Sequence, residues 1–148
     1  VTAKQRLKVI EELAKSNIPM GVNVAPVIPG LTDSEIPQIL KASAEAGAGW
    51  ANYIIVRLNG QIGEIFKDWL EVAYPERSSK IWNAISSCHH GNVNNSNFGE
   101  RMKGVGNIAE IIRNVFKLHC VKNKLNQKPF EFATIQRNPI GNNQLRLF

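Results

Sequence analysis

Two apolar runs in the first 60 residues have the length and composition of buried β-strands. They span residues 20–28 and 50–58, and the first is apolar on both faces apart from Asn23. Such runs are typical of parallel strands with helices on both sides. Stripes of apolar residues three or four apart predict helices at about residues 3–16 and 33–46. This order predicts two parallel neighbouring strands joined by a right-handed helical crossover, and hence an α/β fold.

Residue types at the ends of these helices agree with the pattern. Thr2 can cap the first helix, and Asn17 is a suitable stop. Asp33 can cap the second helix, and Gly47 can end it. The first strand stops at Pro29-Gly30, so it delivers a tight loop and a helix N-terminus to one edge of the sheet. In α/β enzymes that edge is where ligands bind.

Residues 61–122 are predicted to form a helical extension. The spacing of apolar residues indicates a third helix that Pro75 ends, a short fourth helix, and a fifth helix that Asn107 can cap, with an irregular stretch at residues 88–107. We expect the aromatic residues of the third and fourth helices to lie in the core: Phe66, Trp69 and Trp82.

The periodicity fades after about Lys122, and frequent Pro, Gly and Asn predict a flexible tail over residues 123–148. Two strands cannot bury both faces of a parallel sheet or close its edges. We therefore expect residues 1–60 to be the last βα units of a larger domain, with the missing strands upstream of Val1.

The amino-acid composition bears on the partners of the protein and on its cellular compartment. The net charge is +6, and residues 121–148 carry five Lys and Arg against Glu131 alone. A basic tail favours an anionic partner, nucleic acid first, although the charge can also serve only to solvate the tail. No apolar run has the ~20 residues of a membrane span, and no signal peptide is present, so we expect no membrane partner. Two cysteines are too few for a disulfide framework, which favours the cytoplasm.

Three segments resemble the radical S-adenosylmethionine (radical SAM) enzymes, and more narrowly the bacterial branch related to spore photoproduct lyase. They are GVNVAPVIPGLTD (residues 21–33), YIIVRL (residues 53–58) followed by an IFKDWL helix, and SNFGERMKGVG (residues 96–106). The resemblance covers roughly residues 1–120. It implies that the chain is the carboxyl-terminal part of a partial (βα)6 barrel, with the two strands as its last two.

The resemblance also implies an activity and two cofactors. Radical SAM enzymes reductively cleave S-adenosylmethionine at a 4Fe–4S cluster, and the resulting 5′-deoxyadenosyl radical abstracts hydrogen from a substrate. Three cysteines near the first barrel strand hold the cluster, and that motif is absent from this chain. The cluster ligands are therefore expected outside it. Kinship to a photoproduct lyase makes DNA a candidate partner and DNA repair a candidate role.

The superfamily often carries the pattern G-x-I-x-G-x-x-E at the fifth strand, whose apolar residue packs on the adenine. This chain matches it at Ile28 and Gly30 but has Pro26 for the first Gly and Asp33 for Glu. The next strand usually offers backbone groups to the adenine, which implies Val56 to Leu58 here. Cofactor contacts are thus expected at Ile28, Gly30 and Val56.

Two polar residues extend this candidate site. Asn23 is a lone polar group in an apolar strand, which predicts either a barrel-facing role toward cofactor or substrate or a hydrogen bond to a neighbouring strand. Arg57 follows the second strand and can bind a carboxylate or phosphate, or else pair with an acidic neighbour. We assign both to cofactor binding and expect no catalytic side chain in this chain.

Two further clusters carry weaker signals. Cys88-His89-His90 contains metal-ligand types, but adjacent residues rarely hold one ion and no second ligand set has suitable spacing, so we predict no metal site. The loop from Phe98 to Gly106 is basic and glycine-bearing, and such loops can present N–H groups to phosphates. Its alternative is a surface loop in which Arg101 pairs with Glu100 or Glu110.

The chain ends in QLRLF, which resembles the Gln-Leu-x-Leu-Phe peptide by which bacterial DNA-repair and replication proteins dock on the sliding clamp. We predict partner contacts by four of these residues: Gln144, Leu145, Leu147 and Phe148. The leading hypothesis is a radical SAM enzyme fragment. The alternative is a non-enzymatic nucleic-acid-binding or clamp-docking module.

Overall fold

A computed structural model describes residues 2–129 of the chain. The described part is a mixed α/β structure with two strands and five α-helices. Numbered in chain order, they are α1 (Ala3–Lys15), β1 (Gly21–Val27), α2 (Ile36–Glu45), β2 (Trp50–Ile55), α3 (Ile62–Ala73), α4 (Ser78–Ser87) and α5 (Gly106–Lys122). A single turn of 3-10 helix, Asp33–Glu35, precedes α2.

The predicted parallel pairing of the two strands is confirmed. Gly21 of β1 lies opposite Trp50 of β2, the pairing runs in register to Val24, and an irregularity separates Val24 from Val27. The prediction made β2 three residues too long. Beyond Ile55 the apolar side chains of Val56 and Leu58 continue the pattern around Arg57, but the N–H of Leu58 donates to the carbonyl of Val93 in a loop instead of to a strand.

The expectation that helices cover both faces of β1 is wrong for the described residues. Val24 and Val27 are buried, whereas Asn23, Ala25 and Pro26 are exposed. Helices α1, α2 and α5 pack only on the face that carries Val24 and Val27. No helix of residues 2–129 covers the opposite face, which carries Asn23 and is called the bare face below.

Of the three helix caps predicted from the sequence, the structure confirms one. Thr2 forms the predicted cap, because its hydroxyl accepts from the Gln5 N–H and its own N–H donates to the Gln5 side chain. Asp33 does not cap α2, since its carboxylate accepts instead from the N–H of Gly30 at 3.0 Å. Asn107 lies inside the first turn of α5, because Gly106, with a φ of 80°, already begins that helix.

The buried residues form two clusters. The first, the sheet core, joins the covered face of the sheet to α1, α2 and α5, with members such as Val24, Tyr53, Leu40 and Phe116. The second, the end cluster, joins the carboxyl ends of the strands to α3 and α4. It contains Val56, Leu58, Leu70, Ile81 and Ile85, with Ile28 packed against them.

The predicted aromatic core of α3 and α4 is only partly correct. Phe66 and Trp82 pack against the end cluster but are only partly buried. Trp69 is 45% exposed and contacts Phe66 and Tyr74 at ring-centroid distances of 5.3 and 5.6 Å. The reason is that α3 has apolar residues on more of its circumference than α4 covers, and Ile62, Ile65 and Val72 are exposed as well.

The two outer edges of the sheet differ. On β2, the side-chain amide of Asn126 accepts from the Ala51 N–H and donates to the Ala51 carbonyl, both at 2.9 Å, as a neighbouring strand would. Further along, the Ile55 N–H donates to the carbonyl of Met102 at 2.9 Å. No such partner meets the outer edge of β1 in the described residues. The sheet can therefore gain strands at β1 but not at β2.

Candidate functional site at the sheet face and strand ends

The loop after β1 is held by its own side chains. The N–H of Ile28 donates to the Thr32 hydroxyl at 2.9 Å, and the N–H of Gly30 donates to Asp33 at 3.0 Å. The Arg77 guanidinium donates to the Gly30 carbonyl. The N–H groups of Ile28 and Gly30 are therefore already hydrogen-bonded, while the side chain of Ile28 is partly exposed at this loop.

Just beyond the carboxyl end of β2, the backbone N–H and carbonyl of Val56 are also hydrogen-bonded within the protein. The N–H of Val56 donates to the carbonyl of Val27 at 2.9 Å, and the Val56 carbonyl accepts from Nε2 of His89 at 2.8 Å. His89 is buried, and sequence reasoning had not assigned this contact to it. Because its N–H already donates to Val27, Val56 has no free N–H to offer an adenine, and its side chain is buried in the end cluster.

Arg57 differs from its neighbours because its side chain is only partly buried. It forms no ion pair with any carboxylate in residues 2–129, so the predicted alternative of a salt bridge is not observed there. Its guanidinium remains available to an anion near the strand ends.

Asn23 takes part in a short chain of hydrogen bonds across the bare sheet face. The Lys103 ammonium donates to Oδ1 of Asn52, and Nδ2 of Asn52 donates to Oδ1 of Asn23 at 3.2 Å. Because an ammonium can only donate, it fixes the orientation of the Asn52 amide and, through it, that of Asn23. Asn23 is exposed and its Nδ2 has no partner among the described residues, so it offers N–H groups to an acceptor on this face.

The five predicted cofactor residues therefore do not form one cluster. Ile28 and Val56 meet at the end cluster, and Gly30 is tied to Asp33 and Arg77 beside it. Asn23 lies apart from them on the bare sheet face, where it contacts Asn52.

The basic loop after α4 is compact and carries an exposed aromatic ring. Phe98 is 93% exposed, and the Arg101 guanidinium lies 5.9 Å from its ring centroid. Arg101 forms an ion pair with neither Glu100 nor Glu110, contrary to the predicted alternative. Glu100 instead accepts from His90, Asn95 and Asn97, and these hydrogen bonds, that of His90 first, hold its pKa below the usual value.

The same loop delivers Lys103 to the outer edge of β2. Its ammonium donates to the Tyr53 carbonyl at 2.9 Å and lies 3.8 Å from the Tyr53 ring centroid. Burial, and then the nearby positive charge of Arg113, lowers the pKa of Lys103. Sequence reasoning placed Lys103 in a candidate phosphate loop, but nothing in the sequence paired it with β2, about fifty residues earlier.

Cys88, His89 and His90 do not converge on one point. Cys88 is fully buried, and burial raises the pKa of its thiol. His89 contacts Val56, while His90 is exposed and contacts Glu100 at 3.0 Å. Within residues 2–129 no three His, Cys, Asp or Glu side chains are placed to hold a metal ion.

The described residues fit S-adenosylmethionine only in part. The free N–H groups of Asn23 suit an oxygen of its ribose or carboxylate, and the accessible side of Ile28 suits the adenine. The main-chain groups of Val56 are already paired and do not fit the expected adenine contact. A 4Fe–4S cluster has no ligand set in the described residues, since only two cysteines are present, Cys88 just after α4 and Cys120 within α5, and both are buried.

The four predicted clamp contacts at residues 144–148 lie outside the described residues. No helix of the described part is both long and apolar enough to cross a bilayer. No family model, curated protein or solved structure matches this chain.

Proposed function

We propose that this chain is the carboxyl-terminal portion of a radical SAM enzyme. In the whole protein, S-adenosylmethionine would bind across the bare face of β1 and β2, and cysteines elsewhere would hold the 4Fe–4S cluster. When bound, these groups supply a radical that starts chemistry on a substrate, for which DNA is the candidate. The proposed location is the cytoplasm.

The observation that carries the proposal is the difference between the two sheet edges. The edge of β2 is closed by Asn126, Met102 and Lys103, while the edge of β1 is unpaired in the described residues. Strands can then be added only on the side of β1. This asymmetry suits the last two strands of an open barrel whose earlier strands stand beside β1.

Within that barrel the residues of this chain would bind and orient the cofactor. Asn23, held by Asn52, would donate to an oxygen of S-adenosylmethionine from the inner face. Ile28 would pack on the adenine, and Gly30, with a φ of 76°, gives the loop the turn that places Ile28 there. Arg57 would contact the cofactor carboxylate or a substrate phosphate.

The sharpest test is Asn23→Asp in the full-length protein. The substituted carboxylate still accepts from Asn52 but cannot donate, so the fold keeps its hydrogen bond while the cofactor loses one. We expect about tenfold weaker binding of S-adenosylmethionine by calorimetry, because a ligand oxygen then faces a carboxylate. The iron–sulfur absorption should not change.

Ile28→Asp should also weaken binding, since it places a charge against the adenine. Val72→Asp is the matched control, because Val72 is 84% exposed on α3 and is not part of the end cluster. Equal affinity in all three variants and the parent protein, or no cleavage of S-adenosylmethionine after cluster reconstitution, would contradict the proposal.

One observation favours the alternative, a non-enzymatic nucleic-acid-binding module. Phe98 exposes almost its whole ring beside Arg101, and exposed aromatic rings next to cations are typical of base-stacking surfaces. The sequence upstream of Val1 separates the two functions. A Cys-x-x-x-Cys-x-x-Cys motif there supports the enzyme, and a stop codon just before Val1 supports the binding module.

A further inference from the structure

A cavity of about 410 Å³ lies between the outer edge of β2, helix α5 and residues 125–127. Its walls include three cationic side chains, Lys103, Arg113 and Lys117, and two aromatic rings, Tyr53 and Phe116. No Asp or Glu among the described residues lines it. This volume falls within the range of small-molecule sites and is large enough for a nucleotide-sized group.

The positive charge in this cavity is not neutralised by the described part of the protein. Lys103 is half-buried, and its two hydrogen bonds go to neutral oxygens, those of Asn52 and the Tyr53 carbonyl. An ammonium has three N–H groups, and the third has no oxygen or nitrogen acceptor in residues 2–129, although the ammonium also lies over the Tyr53 ring. Neither Arg113 nor Lys117 forms a salt bridge with a carboxylate in residues 2–129.

Three cations around one concavity that have no carboxylate partner in residues 2–129 favour an anion between them. Burial is the main cause of the lowered pKa of Lys103, and the positive charge of Arg113 lowers this pKa further, which agrees with repulsion between these two cations. The chain on either side of residues 125–127 adds the exposed Lys124 and Lys128, so the positive surface continues beyond the cavity.

We propose that this cavity binds the phosphate group of a nucleotide or of a nucleic acid strand. Lys103 is held in place by β2 and contacts the phosphate with its remaining N–H. Arg113 and Lys117, on successive turns of α5, contact the other phosphate oxygens. The site lies at the outer edge of β2 and adjoins the proposed S-adenosylmethionine site at Asn52, which lines the cavity and holds Asn23.

Binding can be measured on the full-length protein with two probes, 5′-AMP and a short oligothymidylate. The variant is Arg113→Gln/Lys117→Gln, whose two side chains are exposed on α5, so the fold should be retained. The control is Lys80→Gln, an exposed cation on α4 outside the cavity. We expect the double variant to bind each probe about tenfold more weakly or worse. For oligothymidylate, the slope of log K against log salt concentration should fall in magnitude by about one to two.

The second readout is the rate at which Cys120 is alkylated. Cys120 lines the cavity and Cys88 does not, so Cys88 serves as the internal control. Burial raises the pKa of both thiols, so both should alkylate slowly at neutral pH. A ligand in the cavity should slow alkylation of Cys120 further and leave Cys88 unchanged, as measured by peptide mapping in the parent protein.

The outcomes separate the two sources of phosphate. Protection of Cys120 by 5′-AMP identifies a nucleotide site, and protection by oligothymidylate alone identifies a strand site. Binding of neither probe, no protection by either, or equal affinity of the double variant and Lys80→Gln would overturn the proposal. None of these readouts depends on a radical SAM activity.

Discussion

At the residue scale, single side chains such as those of Thr2 and His89 fix the local course of the backbone. The Thr2 cap and the Asn17 stop use partners within a few residues, and both are present; Asn17 has a φ of 55°. The contact of His89 with Val56 joins residues 33 apart in sequence. Its only sequence signal was an unexplained histidine next to Cys88, which pattern reasoning weighed as a metal ligand.

Gly104 shows how one residue fixes the loop that carries Lys103. Its φ is 67°, and a Cβ there would lie 3.1 Å from both the Cys88 carbonyl oxygen and Cδ1 of Ile55. A side chain at this position is therefore strained by its backbone and crowded by its neighbours.

We predict that Gly104→Ala destabilises the protein clearly more than Gly99→Ala. Gly99 also has a positive φ, of 89°, but a Cβ at Gly99 would meet no atom within 4 Å, so only the backbone strain of about 1–2 kcal/mol applies. Crowding at Gly104 should add about 1–3 kcal/mol. Urea unfolding of both variants measures the difference, and equal midpoints would mean that the loop is not packed as described.

At the element scale, apolar periodicity predicts the βαβ unit correctly but does not predict where β2 ends. Val56 and Leu58 are as apolar as the strand before them, and the N–H of Val56 still donates to the Val27 carbonyl of β1. The end of the ladder shows only at Leu58, whose N–H donates to the Val93 carbonyl. The closing of the β2 edge depends on Asn126, 75 residues away from Ala51, and an isolated Asn in a polar segment gives no such signal.

The edge-closing role of Asn126 gives a second prediction. Asn126→Gly removes both hydrogen bonds to Ala51 and keeps a residue that tolerates the φ of 59° at this position. Loss of the two bonds should lower stability by about 1–3 kcal/mol and speed hydrogen exchange of the Ala51 amide.

Lys124→Gly is the matched control, because Lys124 has a φ of 56° and its side chain makes no hydrogen bond to a described residue. It should leave exchange at Ala51 unchanged. If both glycine variants exchange alike, the backbone of this turn closes the edge and the Asn126 amide does not.

At the scale of the whole molecule, the described part exposes surfaces that a finished domain covers. The outer edge of β1 is unpaired, its second face is bare, and α3 exposes Ile62, Ile65 and Val72. The number of predicted strands indicated this incompleteness from the sequence. The apolar surface of α3 could not be anticipated, because an apolar stripe does not reveal how much of it a neighbour covers.

These surfaces predict how residues 1–148 behave when expressed alone. Without strands beside β1, we expect low solubility or a broad unfolding transition, and a sharper transition in the full-length protein. Calorimetry and sedimentation on both forms make the comparison. A monomer of residues 1–148 with one sharp two-state transition would contradict the missing-strand interpretation.

The last prediction concerns the carboxyl-terminal pentapeptide and a partner outside the chain. Leu147 and Phe148 have the apolar side chains that fill a hydrophobic pocket, and the Gln144 amide can fix the register through hydrogen bonds. We propose that residues 144–148 dock on the bacterial sliding clamp, which would bring the protein to DNA and agree with its basic carboxyl-terminal segment.

A peptide of residues 138–148 tests this directly by titration against the sliding clamp of the same organism. Leu147→Ala and Phe148→Ala should each weaken binding about tenfold or more, because each empties an apolar pocket. Arg146→Ala is the matched control, since Arg146 stands at the position where the pattern admits any residue, and it should bind like the parent peptide. No binding at high micromolar concentration, or equal loss in all three variants, would show that the match to the docking pattern is accidental.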